Sequence, residues 1–249
     1  MKFLNPLVVS DNPLLAQRIQ EVVRKIDVVV LKFACTDQSI LEEFREKVDE
    51  NALLINLKNS EDVNKIMQTF DLILSIHCKQ LFPVKLVQHK RCINLHPGYN
   101  PTNRGWYPQV FAIIHHRISG ATLHEIDTLL DHGRIIDRIE VPQYSWDSSK
   151  SLYDRIVDVE VEIFARNFLS ILNDEYTTFS PEDEGFLYYK KDFNQLCEIE
   201  LDEPVTFYTA INRLRALTHG AYQNAWYRDK VTGRKVFIKI DLIPEDEAF

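Results

Sequence analysis

Short apolar runs and longer amphipathic runs take turns through the first half of this chain. Residues 7–10, 28–33, 52–57, 72–76 and 92–95 read as strands, and residues 14–25, 40–48 and 63–70 carry apolar side chains at helical spacing. The strand-like runs do not alternate with polar residues. Leu72-Ile73-Leu74-Ser75-Ile76, for example, offers almost no face to water. Strands of that kind are buried on both sides, so the pattern predicts an α/β fold with a mostly parallel sheet flanked by helices. In open sheets of this class, ligands sit beyond the carboxyl ends of the strands.

The first strand is followed by Ser10-Asp11-Asn12-Pro13, a helix start with proline near its first position. It has no glycines to let a pyrophosphate approach the backbone, which excludes a nicotinamide dehydrogenase. The chain has 37 acidic and 29 basic residues, a net charge of −8, which disfavours non-specific nucleic-acid binding. Cys35, Cys78, Cys92 and Cys197 stand far apart without metal-like spacing and read as small buried hydrophobes of a reducing compartment. Met1-Lys2-Phe3-Leu4-Asn5-Pro6 lacks the apolar stretch of a leader, and no run approaches a membrane span. A soluble, cytoplasmic protein with no membrane partner is expected.

In the second half, residues 108–117 read as a helix, and residues 121–126 and 135–141 as strands joined around Asp131-His132-Gly133. Ser151-Leu152-Tyr153-Asp154 has capping-box form and opens a helix to about Asn173. Beyond Tyr176 the periodicity breaks at Pro181, Gly185 and Pro204. Residues 1–178 are therefore expected to form the main domain. Residues 179–249 should form a small strand-rich appendage, with a helix at 207–217 and a hairpin at 229–239 turning at Thr232-Gly233.

Chemistry concentrates in Asn94-Leu95-His96-Pro97-Gly98-Tyr99-Asn100-Pro101, directly after the fifth strand. Alternation puts Asn94 and His96 on one side of an extended backbone. A carboxamide can donate to an oxygen gaining negative charge, and an imidazole can exchange a proton near neutrality. Asp131 has two readings: a turn residue before glycine, or a carboxylate that orients His96. His124 reads as a core group within a strand, and His115 and His116 as partners of a helix dipole. His77 follows the run 72–76 at the ligand edge. Its loop is expected to bind through backbone groups, with no catalytic role for His77 itself.

Together with these residues, Arg104-Gly105-Trp106-Tyr107-Pro108, Gly120-Ala121-Thr122-Leu123-His124 and Leu130-Asp131-His132-Gly133 resemble the formyltransferase family that uses 10-formyltetrahydrofolate. The likeness continues at Arg213-Leu214-Arg215-Ala216-Leu217-Thr218 and is weakest before residue 70. It implies a Rossmann-like sheet and a catalytic triad matched by Asn94, His96 and Asp131. Many family members follow His-Pro with Ser-Leu-Leu-Pro, where this chain has Gly98-Tyr99-Asn100-Pro101. That variant, with Ile76-His77-Cys78-Lys79-Gln80-Leu81-Phe82-Pro83, resembles bacterial sugar N-formyltransferases that act on dTDP-linked amino-dideoxysugars.

The resemblance implies 10-formyltetrahydrofolate as formyl donor, no metal, and dTDP-4-amino-4,6-dideoxyglucose as acceptor, in O-antigen or surface-glycan sugar synthesis. Folate would be read by Cys78, Lys79, Gln80, Leu81, Phe82, Ile126, Asp127 and Leu130. The sugar nucleotide would meet Tyr222, Arg104, Trp106, Tyr107, Lys190 and Tyr189, with Tyr188, Lys191 and Trp226 as further candidates. Taken singly, most of these aromatics read more readily as core filler of a small appendage than as ligand contacts. Two alternatives stand beside this reading: the same transfer to a dTDP-3-amino-3,6-dideoxyhexose, and a non-catalytic sugar-nucleotide or folate binding module. A homodimer through the C-terminal region is expected, with no nucleic-acid partner.

Overall fold

The structure, a computed structural model, describes residues 1–245. The strands β1 (Pro6–Ser10), β2 (Lys32–Cys35), β3 (Leu53–Leu54), β4 (Leu72–Ile76), β5 (Arg91–His96), β7 (Ser119–Glu125) and β8 (Ile135–Val141) form one sheet. Their order is β3-β2-β1-β4-β5-β7-β8. All pairs are parallel as far as β5; β7 then pairs antiparallel with β5, and β8 antiparallel with β7. The mostly parallel sheet expected from the uninterrupted apolar runs is therefore present. Two expected strands are shorter than their apolar runs. The run 28–33 enters the sheet only at Lys32, because Val30 is 74% exposed and lies outside it. The run 52–57 pairs only over Leu53–Leu54, at the sheet edge.

Helices cover both faces. Val8, Leu74, Ile76, Ile93 and Leu95 pack with α1 (Pro13–Ile26), α2 (Leu41–Lys47), α5 (Pro108–His115) and α6 (Ser149–Asn173). Leu7, Val9, Ile73 and Cys92 pack on the other face with α3 (Ser60–Thr69) and α4 (Val84–His89). The side chain of Asn12 caps α1 by accepting from the Leu15 amide, with Pro13 next in sequence. The cap of α6 is Ser148, three residues before the expected start, and Ser151 completes the capping box from inside the first turn. Phe164 and Phe168 of α6 are fully buried and stack at 4.9 Å, so truncating either would cost about 3–5 kcal/mol.

The tail holds β9 (Leu187–Tyr188), α7 (Lys190–Cys197), α8 (Phe207–Leu217), β10 (Trp226–Arg228) and β11 (Lys235–Phe237). Helix α7 was not anticipated, since only Phe193 and Cys197 of its eight residues are buried and the periodic signal is short. The hairpin of β10 and β11 turns through Gly233 at φ +69°, with Asp229 accepting from the Thr232 amide. Phe193, Cys197, Ala216, Leu217 and Ala225 join the same buried cluster as Leu74 and Leu95. In addition, β9 pairs with a two-residue strand, β6 (Arg104–Gly105), in the loop after β5. Among the described residues no helix is long and apolar enough to cross a membrane.

Candidate active site

Three elements meet at the carboxyl end of β5. Asn94 and His96 project from that strand, and β7 lies beside it with His124 directly opposite Asn94. The loop between β7 and β8 returns Asp131 to the same point, in a left-handed conformation with φ 46°. Aspartate tolerates this conformation better than most residues. The Asn94 carboxamide nitrogen donates to Asp131 Oδ1 at 3.0 Å, and His96 Nδ1 lies 3.6 Å from Asp131 Oδ2. The Gly105 amide donates to the same Oδ2 at 3.0 Å.

His96 is buried, and its Nε2 donates to the Asn103 carbonyl at 3.1 Å, leaving the Nδ1 lone pair facing the carboxylate side. Burial pushes the His96 ring below its ordinary 6.5, outweighing the opposing pull of Asp131, so the ring is neutral at neutral pH. Burial works to raise Asp131. The imidazoles of His96 and His124 and the Gly105 N–H prevail over it and hold the carboxyl down at about 2. The result is an ionised carboxylate beside a neutral imidazole, with a carboxamide donating to the carboxylate.

The loop 97–105 builds the floor. Gly98 packs so closely that a Cβ there would lie 2.4 Å from both His96 Nε2 and the Asn103 carbonyl. Thr122 donates to the Gly98 carbonyl at 2.7 Å and accepts from the Asn100 amide at 3.0 Å. Asn100 in turn donates from its side chain to the Asp131 carbonyl at 3.0 Å. The stretch Gly98-Tyr99-Asn100-Pro101 thus fixes the height of both His96 and Asp131.

His124 is buried and hydrogen-bonded, as expected of a core group, and it also touches the site. Its Nδ1 donates to the Glu125 carbonyl at 2.7 Å, and its Nε2 lies 3.2 Å from the Asn94 carboxamide nitrogen and 3.7 Å from Asp131 Oδ1. Only the register of β5 against β7 reveals this. Periodicity places His124 on a strand without saying whom it faces.

The expected folate residues line two loops on the α3/α4 face. Cys78, Phe82 and Ile126 rest on the second core cluster, while Leu81 is exposed above it. Gln80 accepts from the Leu57 amide, and Asp127 holds His132 at 2.6 Å. Lys79 donates its amide to Asp11, and Leu130 is half-buried one residue before Asp131.

The expected sugar-nucleotide residues do not form one cluster. Arg104 is buried on β6, with its guanidinium 3.5 Å from Glu184 and its Nε unpaired. Trp106 packs 5.8 Å from Tyr107, whose ring lies 4.1 Å from Phe193, and Lys190 sits over Trp106 at 5.7 Å. Tyr188 stacks on Phe111 at 3.8 Å, as core packing. Tyr189 is exposed with Lys191 above its ring, and Trp226 carries Lys235 at 3.6 Å. Tyr222 is 68% exposed beside His219.

The chain is similar to known proteins over most of its length. Residues 8–168 match the Formyl transferase family, and residues 192–244 match the N-formyltransferase dimerization C-terminal domain. The dTDP-4-amino-4,6-dideoxyglucose formyltransferase of Mycobacterium tuberculosis is 51% identical over 189 residues, covering 76% of this chain and 80% of that protein. A 4-N formyltransferase from Francisella tularensis superposes with a TM-score of 0.89 at 37% identity, covering 96% of this chain and 98% of the other. A sugar N-formyltransferase from Shewanella gives 0.87 at 35% identity, over 96% and 97%.

Proposed function

The chain belongs to the formyl transferase family, and we propose that it is a sugar N-formyltransferase acting on dTDP-4-amino-4,6-dideoxyglucose. The formyl group comes from 10-formyltetrahydrofolate. The observation that carries this reading is the convergence of Asn94, His96 and Asp131 on one point at the sheet's carboxyl edge. A binding module needs no neutral imidazole braced by an ionised carboxylate. The half-identical mycobacterial relative supports the acceptor and makes the 4-amine the better choice over a 3-amine.

Formyl transfer needs three things of the protein. The acceptor amine must shed a proton, the carbonyl oxygen must be stabilised as it gains charge, and the leaving nitrogen must be reprotonated. His96, neutral at working pH, is placed to take the first proton, and Asp131 steadies the imidazolium that results. Asn94 is the oxyanion donor. At rest, its carboxamide nitrogen faces Asp131 and His124. Catalysis exchanges the 3.2 Å contact with the His124 ring for a contact with a developing negative oxygen, which attracts the N–H more strongly. Loops 78–82 and 126–130 suit a flat pterin. Their side chains Cys78, Phe82 and Ile126 are pinned on the core below, and exposed Leu81 and Leu129 give apolar surface above. The donor supplies the activated formyl group, and the proton that His96 takes from the amine is the one returned to the leaving nitrogen, so the transfer ends with the imidazole neutral again.

The chain works as a catalytic unit of residues 1–178 with a C-terminal unit of 179–249, and it assembles as a dimer through the latter. Supporting this, the matched C-terminal family is a dimerization domain, and Leu201, Val205, Phe207, Tyr208 and Ile211 leave apolar surface exposed around α8. The product feeds surface-glycan assembly in the cytoplasm, where folate and nucleotide sugars are both made available. Purified protein given 10-formyltetrahydrofolate and the dTDP-4-amino sugar should yield a product heavier by one formyl group in mass spectrometry. Absence of that product, with the 3-amino isomer formylated instead, would reassign the acceptor. No product from either would overturn the reading.

A further inference from the structure

Beside the active site, a second polar cluster is buried on the opposite face of the sheet. His77 follows β4, level with His96 on the neighbouring strand, because Ile76 pairs with Leu95. Adjacent strands lie roughly 4.8 Å apart. His77 adopts φ 56°, which turns its ring away from the folate loops and toward α6. There its Nε2 meets Glu160 Oε1 at 2.9 Å. Glu160 is 0% exposed, and its second oxygen has no partner. The other ring nitrogen, Nδ1, lies 3.2 Å from both the Asn12 carboxamide nitrogen and the Tyr153 hydroxyl.

These contacts fix the protons. Asn12 Oδ1 caps α1 at Leu15, so its NH2 group must point at His77. Nδ1 is therefore an acceptor, and Nε2–H donates to Glu160. One sp2 lone pair serves one good donor. Asn12 can satisfy Nδ1 by itself, and it also lies 3.4 Å from the Tyr153 oxygen as a donor. The Tyr153 O–H is then free to turn to another acceptor without orphaning His77.

Tyr153 also stands in a line of rings leading outward. His77 to Tyr153 is 6.0 Å, Tyr153 to His219 is 5.5 Å, and His219 to Tyr222 is 5.8 Å. Tyr222 at the outer end is exposed, and His77 at the inner end adjoins His96. An aromatic base, a diphosphate and a hexose joined end to end have that extended form. Two substrates must reach one imidazole, and the folate loops occupy the other face of the sheet.

We propose that Asn12, His77, Tyr153 and Glu160 form the acceptor-side wall of the site, with the Tyr153 hydroxyl donating to an oxygen of the sugar nucleotide and Asn12, His77 and Glu160 acting as positioning residues behind it. This rests on the proposed transfer to a dTDP-amino sugar. The bound oxygen belongs either to the hexose or to the diphosphate, and the test separates the two.

Tyr153→Phe keeps the ring and removes the donor. It should raise KM for the amino sugar roughly fivefold to tenfold, the worth of one hydrogen bond, and leave KM for the formyl donor within about twofold. Calorimetric binding of dTDP and of the dTDP-amino sugar then locates the contact. Weakening of both points to the diphosphate, and weakening of the sugar nucleotide alone points to the hexose. Glu160→Gln should move the acceptor KM in the same direction with a smaller change in kcat. If both affinities stay within about twofold in Tyr153→Phe, or if the folate KM shifts equally, the assignment is wrong. Binding lost in the variant while the wild type shows no turnover would overturn the transfer reading and leave this wall in place.

Discussion

At the scale of single residues, the site depends on two kinds of constraint, one chemical and one steric. Asn94→Ala removes the carboxamide and should lower kcat by about a hundredfold to a thousandfold with secondary structure intact by circular dichroism. His96→Asn and Asp131→Asn should each abolish most turnover in the same assay. Gly98→Ala tests the steric side, because the added carbon would meet His96 Nε2 and the Asn103 carbonyl at 2.4 Å. Displacing the imidazole by such a margin should cost about a hundredfold in kcat, and wild-type activity in that variant would contradict the packing described. The titration behaviour follows from burial. His96 is held below 6.5, so kcat/KM should be level through neutrality and fall only as pH drops below about 6.5. An acid limb centred above pH 7 would point to another base. Asp131 has a folded value near 2, depressed from 3.8. Its contribution to stability is complete above the unfolded value and disappears as pH falls through the folded one. Thermal melts of wild type and Asp131→Asn should therefore differ at pH 6 and converge toward pH 2.

At the scale of elements, the apolar runs of the first half announce the sheet because parallel strands are buried on both faces and need no alternation. The strand ends at Asn94 and His96 were legible for the same reason. Pairing was not legible. His124 reads as an ordinary strand residue until the antiparallel register sets it opposite Asn94. Helix α7 and the two-residue strands β6 and β9 were also hidden, because such short elements are decided by tertiary contacts and leave little periodic signal. The pairing of β6 with β9 matters to the site. Trp106 donates its amide to the Tyr188 carbonyl and Arg104 to the Phe186 carbonyl, which holds Gly105 where it reaches Asp131. Gly185, at φ 57°, crosses so close to Pro101 that a Cβ would lie 1.9 Å from its carbonyl oxygen. Gly185→Val should part the two strands and lower kcat at least about tenfold, while amide exchange in β1, β4 and β5 stays protected. Loss of protection throughout the sheet would instead mean that the clamp carries global stability.

At the scale of the whole molecule, the tail completes the site and exposes apolar surface that the proposed dimer would cover. Phe207 is 90% exposed, with Tyr208 and Ile211 close by on α8, an apolar display that a lone chain in water has no reason to keep. Sedimentation should give a dimer for the wild type and a monomer for the double variant Phe207→Asp, Ile211→Asp. A dimer that survives both charges would place the interface elsewhere. The clamp between β6 and β9 also bears on the order in which the enzyme comes into being. Asn94, His96 and Asp131 all leave the ribosome before residue 187 is made, yet the backbone that aims Gly105 at the carboxylate waits for that strand. A growing chain short of residue 187 therefore carries every reactive group without the clamp that aims Gly105 at the carboxylate.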